Sequence, residues 1–158
     1  MKAGNWKQIL IAVTVVLGWS ANSAAIEIIS DSAPKFLKHA ELAVEVGNLD
    51  RAVGLIKPRI NQLRRHTYQH RAYAALCNAY LRQLEMASAE AACNRAVTFS
   101  SANASDLNNL GVYYYLNEDF SSAATYFKRA AATDPQQDYE NNLDAAITAG
   151  SRTMTAQQ

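Results

Sequence analysis

Apolar residues recur at helical spacing along most of the chain, and alternating β-branched runs are missing outside its N-terminal stretch. Together with abundant alanine, leucine and glutamine, this pattern favours α-helices over strands. Three prolines and six glycines offer few interruptions, and 158 residues with 49% apolar content suffice for one compact domain with a sizeable core. We therefore predict an all-α fold.

The pattern repeats at an offset of 34 residues, because residues 70–103 match residues 104–137. Large residues recur at one set of positions and small residues at another. A period near this length, with two amphipathic helices in each unit, is typical of a helical solenoid. The matched pairs are Tyr73 and Leu107, Leu76 and Leu110, Cys77 and Gly111, Tyr80 and Tyr114, Ala89 and Ala123, Cys93 and Phe127, and Ala96 and Ala130.

The second of these segments, residues 104–137, closely resembles a tetratricopeptide repeat. Glu118 stands where that family prefers glycine at the turn, although Asn117 and Asp119 can supply turn chemistry. Residues 70–103 match less completely. The positions of 104–137 that fit the family's pattern are Leu107, Leu110, Gly111, Tyr114, Phe120, Ala123, Phe127, Ala130 and Pro135.

A weaker third unit lies upstream, at about residues 33–66, where Gly47 is followed by Ala52 at the family's spacing. Pro58 falls within its second helix and should kink or shorten it. The resemblance implies a right-handed α–α solenoid of about three helical hairpins plus a C-terminal capping helix. Its segments are repeats 33–66, 70–103 and 104–137, the capping helix 138–149 ended by Gly150, and a flexible tail 151–158.

The N-terminal stretch has the order of a secretory signal peptide: two lysines, an apolar run from Ile9 to Trp19, then small residues. Cleavage after Ala25 gives a signal peptide at 1–25 and a lead-in at 26–32, and it leaves no stable membrane span. The apolar run is short of the roughly 20 residues that span a bilayer, and an uncleaved anchor is the alternative. We therefore expect an exported protein, most simply periplasmic.

Export changes the interpretation of Cys77 and Cys93. In an oxidising compartment they form a candidate disulfide across a hairpin centred near residue 85, whereas in a reducing one they are core thiols. A catalytic redox pair is the third alternative, but neither cysteine lies at an exposed helix N-terminus.

No catalytic or metal motif stands out, so we expect neither an enzyme nor a cofactor nor a bound metal. His66 and His70 are four residues apart, but the repeat register predicts a helix boundary between them and favours solvated loop histidines. The basic run 57–66 is interrupted by Ile60 and Leu63, which indicates a helix with a solvated face. With a net charge of +1, we expect no nucleic acid as partner.

The remaining candidate for a binding site is the groove that the first helices of tetratricopeptide repeats form. Tyr115 should point into it, while Tyr114 should be core and Tyr113 should face the neighbouring repeat. Asparagine can bind a peptide backbone, and arginine can bind carboxylates. The groove positions implied by the resemblance are Arg71, Ala74, Asn78, Leu81, Arg82, Ser105, Asn108, Asn109, Val112, Tyr115 and Leu116.

The function that this implies is a non-catalytic, exported module that binds a peptide or partner protein. Two alternatives stay open: a structural protein that self-associates, and an accessory subunit of a cell-envelope enzyme or assembly. Plain solvated polar residues on a small structural module would give the same groove pattern.

Overall fold

The structure is a computed structural model that describes residues 33–156. The predicted signal peptide and lead-in segment lie outside the described residues. The chain divides into two compact units, Met1–Lys35 and Phe36–Gln158, and only the last three residues of the first unit are described. Residues 33–156 contain helices and no strands, which confirms the predicted all-α class.

The described residues form seven α-helices and one short 3-10 helix. From α2 onward, each α-helix packs against the next one in sequence, and α3 also contacts α5. The elements are α1 (Lys35–Glu45), α2 (Leu49–Ile56), the 3-10 helix (Ile60–Gln62), α3 (His66–Gln83), α4 (Met86–Ala96), α5 (Ala104–Leu116), α6 (Phe120–Thr133) and α7 (Gln137–Ala156).

Three of the turns between helices share one backbone geometry. Gly47, Leu84 and Glu118 have positive φ angles of 78°, 58° and 63°. In each turn the amide of this residue bonds to the carbonyl three positions back, and the next amide bonds to the carbonyl five positions back. These are the two hydrogen bonds of a Schellman motif. The three turns therefore lie at equivalent positions of the three predicted repeats, although two of them lack glycine.

The core has two parts. Helices α1 to α4 and Leu110 of α5 share the larger one, in which Leu37, Ile56 and Leu110 are fully buried. A smaller cluster joins α6 and α7 through Phe127 and Ala146. Helix α5 lies between them, because its partly buried side chains pack against both clusters.

Helix ends follow local chemistry in most places. Asn103 and Asp119 cap α5 and α6 with their side chains. Helix α2 ends at Ile56, before Pro58, which confirms the predicted shortening. The basic run after it is a turn and a 3-10 helix rather than the predicted helix, with Leu63 as its buried anchor.

The predicted helix boundary between His66 and His70 is wrong. Helix α3 begins at His66 because the amides of Tyr68 and Gln69 both bond to the carbonyl of Arg65. Gln69 Nε2 also donates to the carbonyl of Leu63 at 2.7 Å, which fixes the first turn to the preceding loop.

The last helix is longer than the sequence indicated. Helix α7 continues past Gly150 to Ala156. At Gly150 the lack of a side chain serves a close approach rather than a helix end, since an added Cβ would lie 3.3 Å from Cβ of Phe120. Residues 151–156, predicted as part of a flexible tail, are helical and exposed.

Candidate functional site

A cleft of about 260 Å³ lies between α1, α3 and α5. Five of the predicted groove residues line it: Arg71, Ala74, Asn78, Ser105 and Asn109. They share it because positions three, four and seven apart lie on one face of a helix. The full lining is Glu41, Val44, Glu45, His70, Arg71, Ala74, Ala75, Asn78, Asn103, Ser105, Asp106 and Asn109.

A buried pair of titratable side chains links two helices of the cleft. His70 Nε2 on α3 lies 2.7 Å from Asp106 Oδ2 on α5, and both side chains are buried. The same Asp106 oxygen accepts from the amide of Asn103, whose side chain accepts from the amide of Asp106. This capping box fixes the start of α5, so His70 is a buried structural partner and not the solvated loop residue that we predicted.

A second charged pair bridges α1 and α3 at the rim of the cleft. Arg71 donates from Nε and Nη2 to the two carboxylate oxygens of Glu41, at 2.7 and 2.6 Å. Such bidentate pairs fix the relative orientation of both side chains. Because both remain about one third exposed, a ligand in the cleft can still reach them.

The wall of the cleft carries one polar atom whose hydrogen-bonding capacity is unused. Oδ1 of Asn78 is buried and has no hydrogen-bond partner among the described residues. A buried acceptor of this kind is rare in native structures, because leaving it unpaired costs about 1–3 kcal/mol. A donor that entered the cleft would pair with it once the Asn78 amide turned outward, because the oxygen itself is buried.

Other predicted groove residues have partners elsewhere. Arg82 Nη1 donates to the carbonyl of Val44 at 2.6 Å, and Asn108 Oδ1 accepts from Asn142 of α7 at 2.8 Å. The prediction of Leu81 as a groove position is wrong, because this residue belongs to the buried core.

Two of the remaining predicted positions also lie outside the cleft lining. Val112 packs against both core clusters. The ring of Tyr115 lies edge-on to Phe120 with centroids 5.4 Å apart.

The neighbouring tyrosines separate as their register predicts. Tyr113 turns to the preceding hairpin, where burial first, and then its hydrogen bond to Glu90, raise its pKa. Tyr114 stacks on Tyr126 with centroids 5.4 Å apart, and burial is the main reason that its pKa is raised. Neither ring is a free aromatic surface.

Cys77 of α3 and Cys93 of α4 form a disulfide, with Cα atoms 4.8 Å apart. This is the first of the three alternatives that the sequence left open. The bond closes the α3–α4 hairpin on the side of α3 that faces the core, where both residues are fully buried. It thereby fixes the helix that supplies Arg71 and Asn78 to the cleft.

Two further findings concern metal binding and membrane crossing. Residues 33–156 contain no cluster of three or more His, Cys, Asp or Glu side chains that could hold a metal ion. Over the same residues, none of the helices combines the length and apolar character that crossing a membrane requires.

No protein-family model matches the chain, and no curated protein gives a significant match either. The polar cleft residues that sequence reasoning missed are Glu41, Glu45, His70, Asn103 and Asp106. Glu41 and Glu45 lie in the repeat whose sequence pattern is weakest. The contact between His70 and Asp106 could be predicted only with the correct start of α3.

Proposed function

We propose that this chain is an exported, non-catalytic protein-interaction module of the tetratricopeptide type. It binds an extended peptide or a segment of a partner protein in the cleft between α1, α3 and α5. The observation that carries this proposal is the convergence of Arg71, Asn78, Ser105 and Asn109 on one cleft, with the buried Asn78 acceptor unpaired among the residues that the structure describes.

The repeat architecture supports the same function. Schellman turns at Gly47, Leu84 and Glu118 recur at equivalent repeat positions, and consecutive helices pack against one another. This is what a right-handed solenoid of three helical hairpins with α7 as its cap requires. Such solenoids present one helix of each hairpin to a shared binding surface.

The chemistry of the cleft favours a peptide backbone over a single charged group. Its charged side chains are largely engaged, since Arg71 binds Glu41 and His70 binds Asp106. The amides of Asn78 and Asn109 offer both donors and acceptors, which is the combination that a peptide group needs. We assign His70 and Asp106 the role of holding α3 and α5 at the spacing that the cleft requires.

An exported location agrees with the disulfide. Disulfides persist in oxidising compartments and are rare in reducing ones. A periplasmic protein would keep the Cys77–Cys93 bond closed, and alkylation of the protein as isolated from cells, without reductant, would then modify neither cysteine.

The proposal is tested by crosslinking from inside the cleft. A photo-crosslinking amino acid replaces Ser105, which is exposed and lines the cleft. A matched control places it at the exposed Ser121 of α6, outside the cleft lining. After irradiation in cells, a defined set of partner peptides should be recovered from position 105 and not from position 121.

A second variant tests whether the amides matter. Asn78→Ala with Asn109→Ala should reduce the crosslinked yield at position 105 by about tenfold, which corresponds to the loss of about 1.4 kcal/mol. Circular dichroism at matched temperature establishes that the variant folds. Equal yields from both positions, or an unchanged yield in the folded double variant, would contradict the proposal.

A further inference from the structure

The first hairpin exposes a face whose counterparts in the later hairpins are partly covered. A shallow cleft of about 360 Å³ lies on it, lined by His39, Leu42, Ala43, Val46, Asn48 and Arg51. Leu42 and Val46 are 55% and 71% exposed, although both are large and apolar. None of the residues that line this open face also lines the proposed peptide cleft.

The equivalent positions in the second hairpin show what such a face contacts. Counting back from the Schellman residues, Leu42 corresponds to Ala79 and Val46 corresponds to Gln83. Ala79 is fully buried. Gln83 donates to Asp50 Oδ1 of α2 at 2.6 Å.

The third hairpin repeats the arrangement at the position of Leu42, whereas Asn117, at the position of Val46, is exposed. Tyr113, five residues before Glu118, packs against the larger core and hydrogen-bonds Glu90 of α4. In both later hairpins, therefore, this side of the first helix contacts the hairpin that precedes it. In the first hairpin, the described residues leave the same side exposed.

The last helix carries a complementary surface. On α7, Ile147 and Met154 are 53% and 72% exposed, and they lie seven residues apart on one face. Asp144, three residues before Ile147, continues the same face and is exposed. The outer face of α7 thus carries two exposed large apolar side chains, with exposed Ser151 between them and an acidic end.

The charged residues that border the two surfaces have opposite signs. Arg51 borders the apolar residues of the open face, whereas Asp144 and Glu140 border those of α7. Among the described residues, neither Arg51 nor Asp144 takes part in an ion pair. Pairing two open faces would bring Arg51 close to its own copy, whereas pairing an open face with α7 brings opposite charges together.

We propose that the open face of one copy, formed by Leu42, Val46 and Arg51, docks on the outer face of α7 of a second copy, formed by Asp144, Ile147 and Met154. The contact is heterologous, so each copy keeps one free surface of each kind at the ends of an assembly. Two large apolar side chains on each surface make a small interface, and such interfaces are weak. Association therefore grows with concentration rather than producing a closed dimer.

The test measures the mass of the full exported protein by sedimentation equilibrium, up to about 1 mM because small interfaces are weak. The wild-type average mass should rise with concentration. Val46→Glu removes the open face and Ile147→Glu removes the α7 face, and each variant alone should stay monomeric. Both positions are exposed, so circular dichroism and the melting temperature should match the wild type.

Mixing the two variants decides the geometry. Each retains one intact surface, so an equimolar mixture should form 1:1 dimers and nothing larger. A wild-type protein of constant monomeric mass would overturn the proposal. So would association of either variant alone, which indicates like-with-like pairing or another surface, or a mixture that stays monomeric.

A charge exchange provides the specificity control. Arg51→Glu should weaken wild-type association by about tenfold, and combination with Asp144→Arg should restore it by re-forming the pair in reverse. Asn109→Ala, in the peptide cleft, should associate as the wild type does. If the Arg51→Glu/Asp144→Arg variant associated no better than Arg51→Glu alone, Arg51 would not pair with Asp144, and the proposed docking of the open face on α7 would be wrong.

Discussion

The ring of Phe127 lies directly against the backbone of Gly111. A Cβ atom added to Gly111 would lie 2.6 Å from both Cδ1 and Cε1 of that ring, which is closer than van der Waals contact allows. Phe127 is almost fully buried and joins α6 to α7. We therefore expect Gly111→Ala to displace the ring and to lower the free energy of unfolding by about 1–3 kcal/mol, measured by urea denaturation.

Gly54 in α2 offers the matched comparison. It also lies within a helix, but an added Cβ would meet nothing within 4 Å. Gly54→Ala should raise the free energy of unfolding by about 0.5–1 kcal/mol, because alanine loses less backbone entropy in a helix. If both alanine variants changed the free energy of unfolding in the same direction, the close contact between Gly111 and Phe127 would not explain the glycine at position 111.

Leu84 adopts a left-handed backbone conformation, and its exposed side chain makes little packing contact that would compensate for the strain. Its φ is 58° and its side chain is 66% exposed, so replacing it removes little packing. Leu84→Gly should raise the free energy of unfolding by about 1 kcal/mol, because only glycine adopts this region without a Cβ penalty. Leu84→Ala keeps the Cβ and should give no such gain. Equal effects of the two substitutions in thermal melts would contradict the explanation.

Much of the fold could be predicted because it depends on local patterns. The repeat period predicts equivalent turns at Gly47, Leu84 and Glu118. Pro58 located the end of α2, since proline removes a backbone donor. The spacing of two cysteines about a turn predicted their pairing. Each of these signals involves residues within one hairpin.

The cleft was harder to predict because it depends on distant residues. His70 and Asp106 are 36 positions apart, and their contact exists only if α3 begins at His66 rather than after it. Because the repeat register predicts a start of α3 that is one helical turn too late, it places His70 in a loop. Likewise, Glu41 enters the cleft through Arg71, which is 30 positions away, from the repeat with the weakest pattern.

The His70–Asp106 pair should be essential for stability. His70→Ala removes the buried hydrogen-bond partner of the Asp106 side chain and should lower the free energy of unfolding by about 1–3 kcal/mol. Adding Asp106→Asn should recover part of this loss, because the amide carries no charge and can still cap α5. Urea denaturation of both single variants and the double variant completes the cycle. A loss in the double variant equal to the sum of the two single losses would show that the residues do not interact.

The Cys77–Cys93 disulfide should stabilise the hairpin that supplies Arg71 and Asn78. It closes a loop with a sequence separation of 16, for which the loss of unfolded-state entropy is about 3 kcal/mol. Reduction should lower the melting temperature of the wild type. The Cys77→Ala/Cys93→Ala variant should melt at that lower temperature and should not respond to reductant. A variant that melts with the oxidised protein would show that the bond contributes nothing.

The cap of α6 predicts a pH dependence with a definite sign. Hydrogen bonds from the Ser122 side chain and from its amide, the latter 3.0 Å from Asp119 Oδ1, lower the pKa of Asp119 in the folded state. A group whose folded pKa is lowered stabilises the fold above its unfolded pKa, near 3.9 for aspartate, and that contribution is lost as the pH falls through the folded value. The stabilisation from the charged cap is therefore complete at neutral pH and decreases below about pH 4.

Asp119→Asn isolates this contribution, because asparagine keeps the capping oxygen and loses the charge. At pH 7 the variant should be less stable than the wild type by about 0.5 kcal/mol, the scale of a charge at an exposed helix N-terminus. As the pH falls below about 4, the difference between the two proteins should decrease, because the charged form of the wild-type carboxyl is lost as the pH falls through its lowered pKa. Ser121→Ala, at an exposed position in the first turn of α6, controls for general effects of acid on this helix. A difference in stability between the wild type and the Asp119→Asn variant that stays constant across this pH range would show that the cap does not depend on charge.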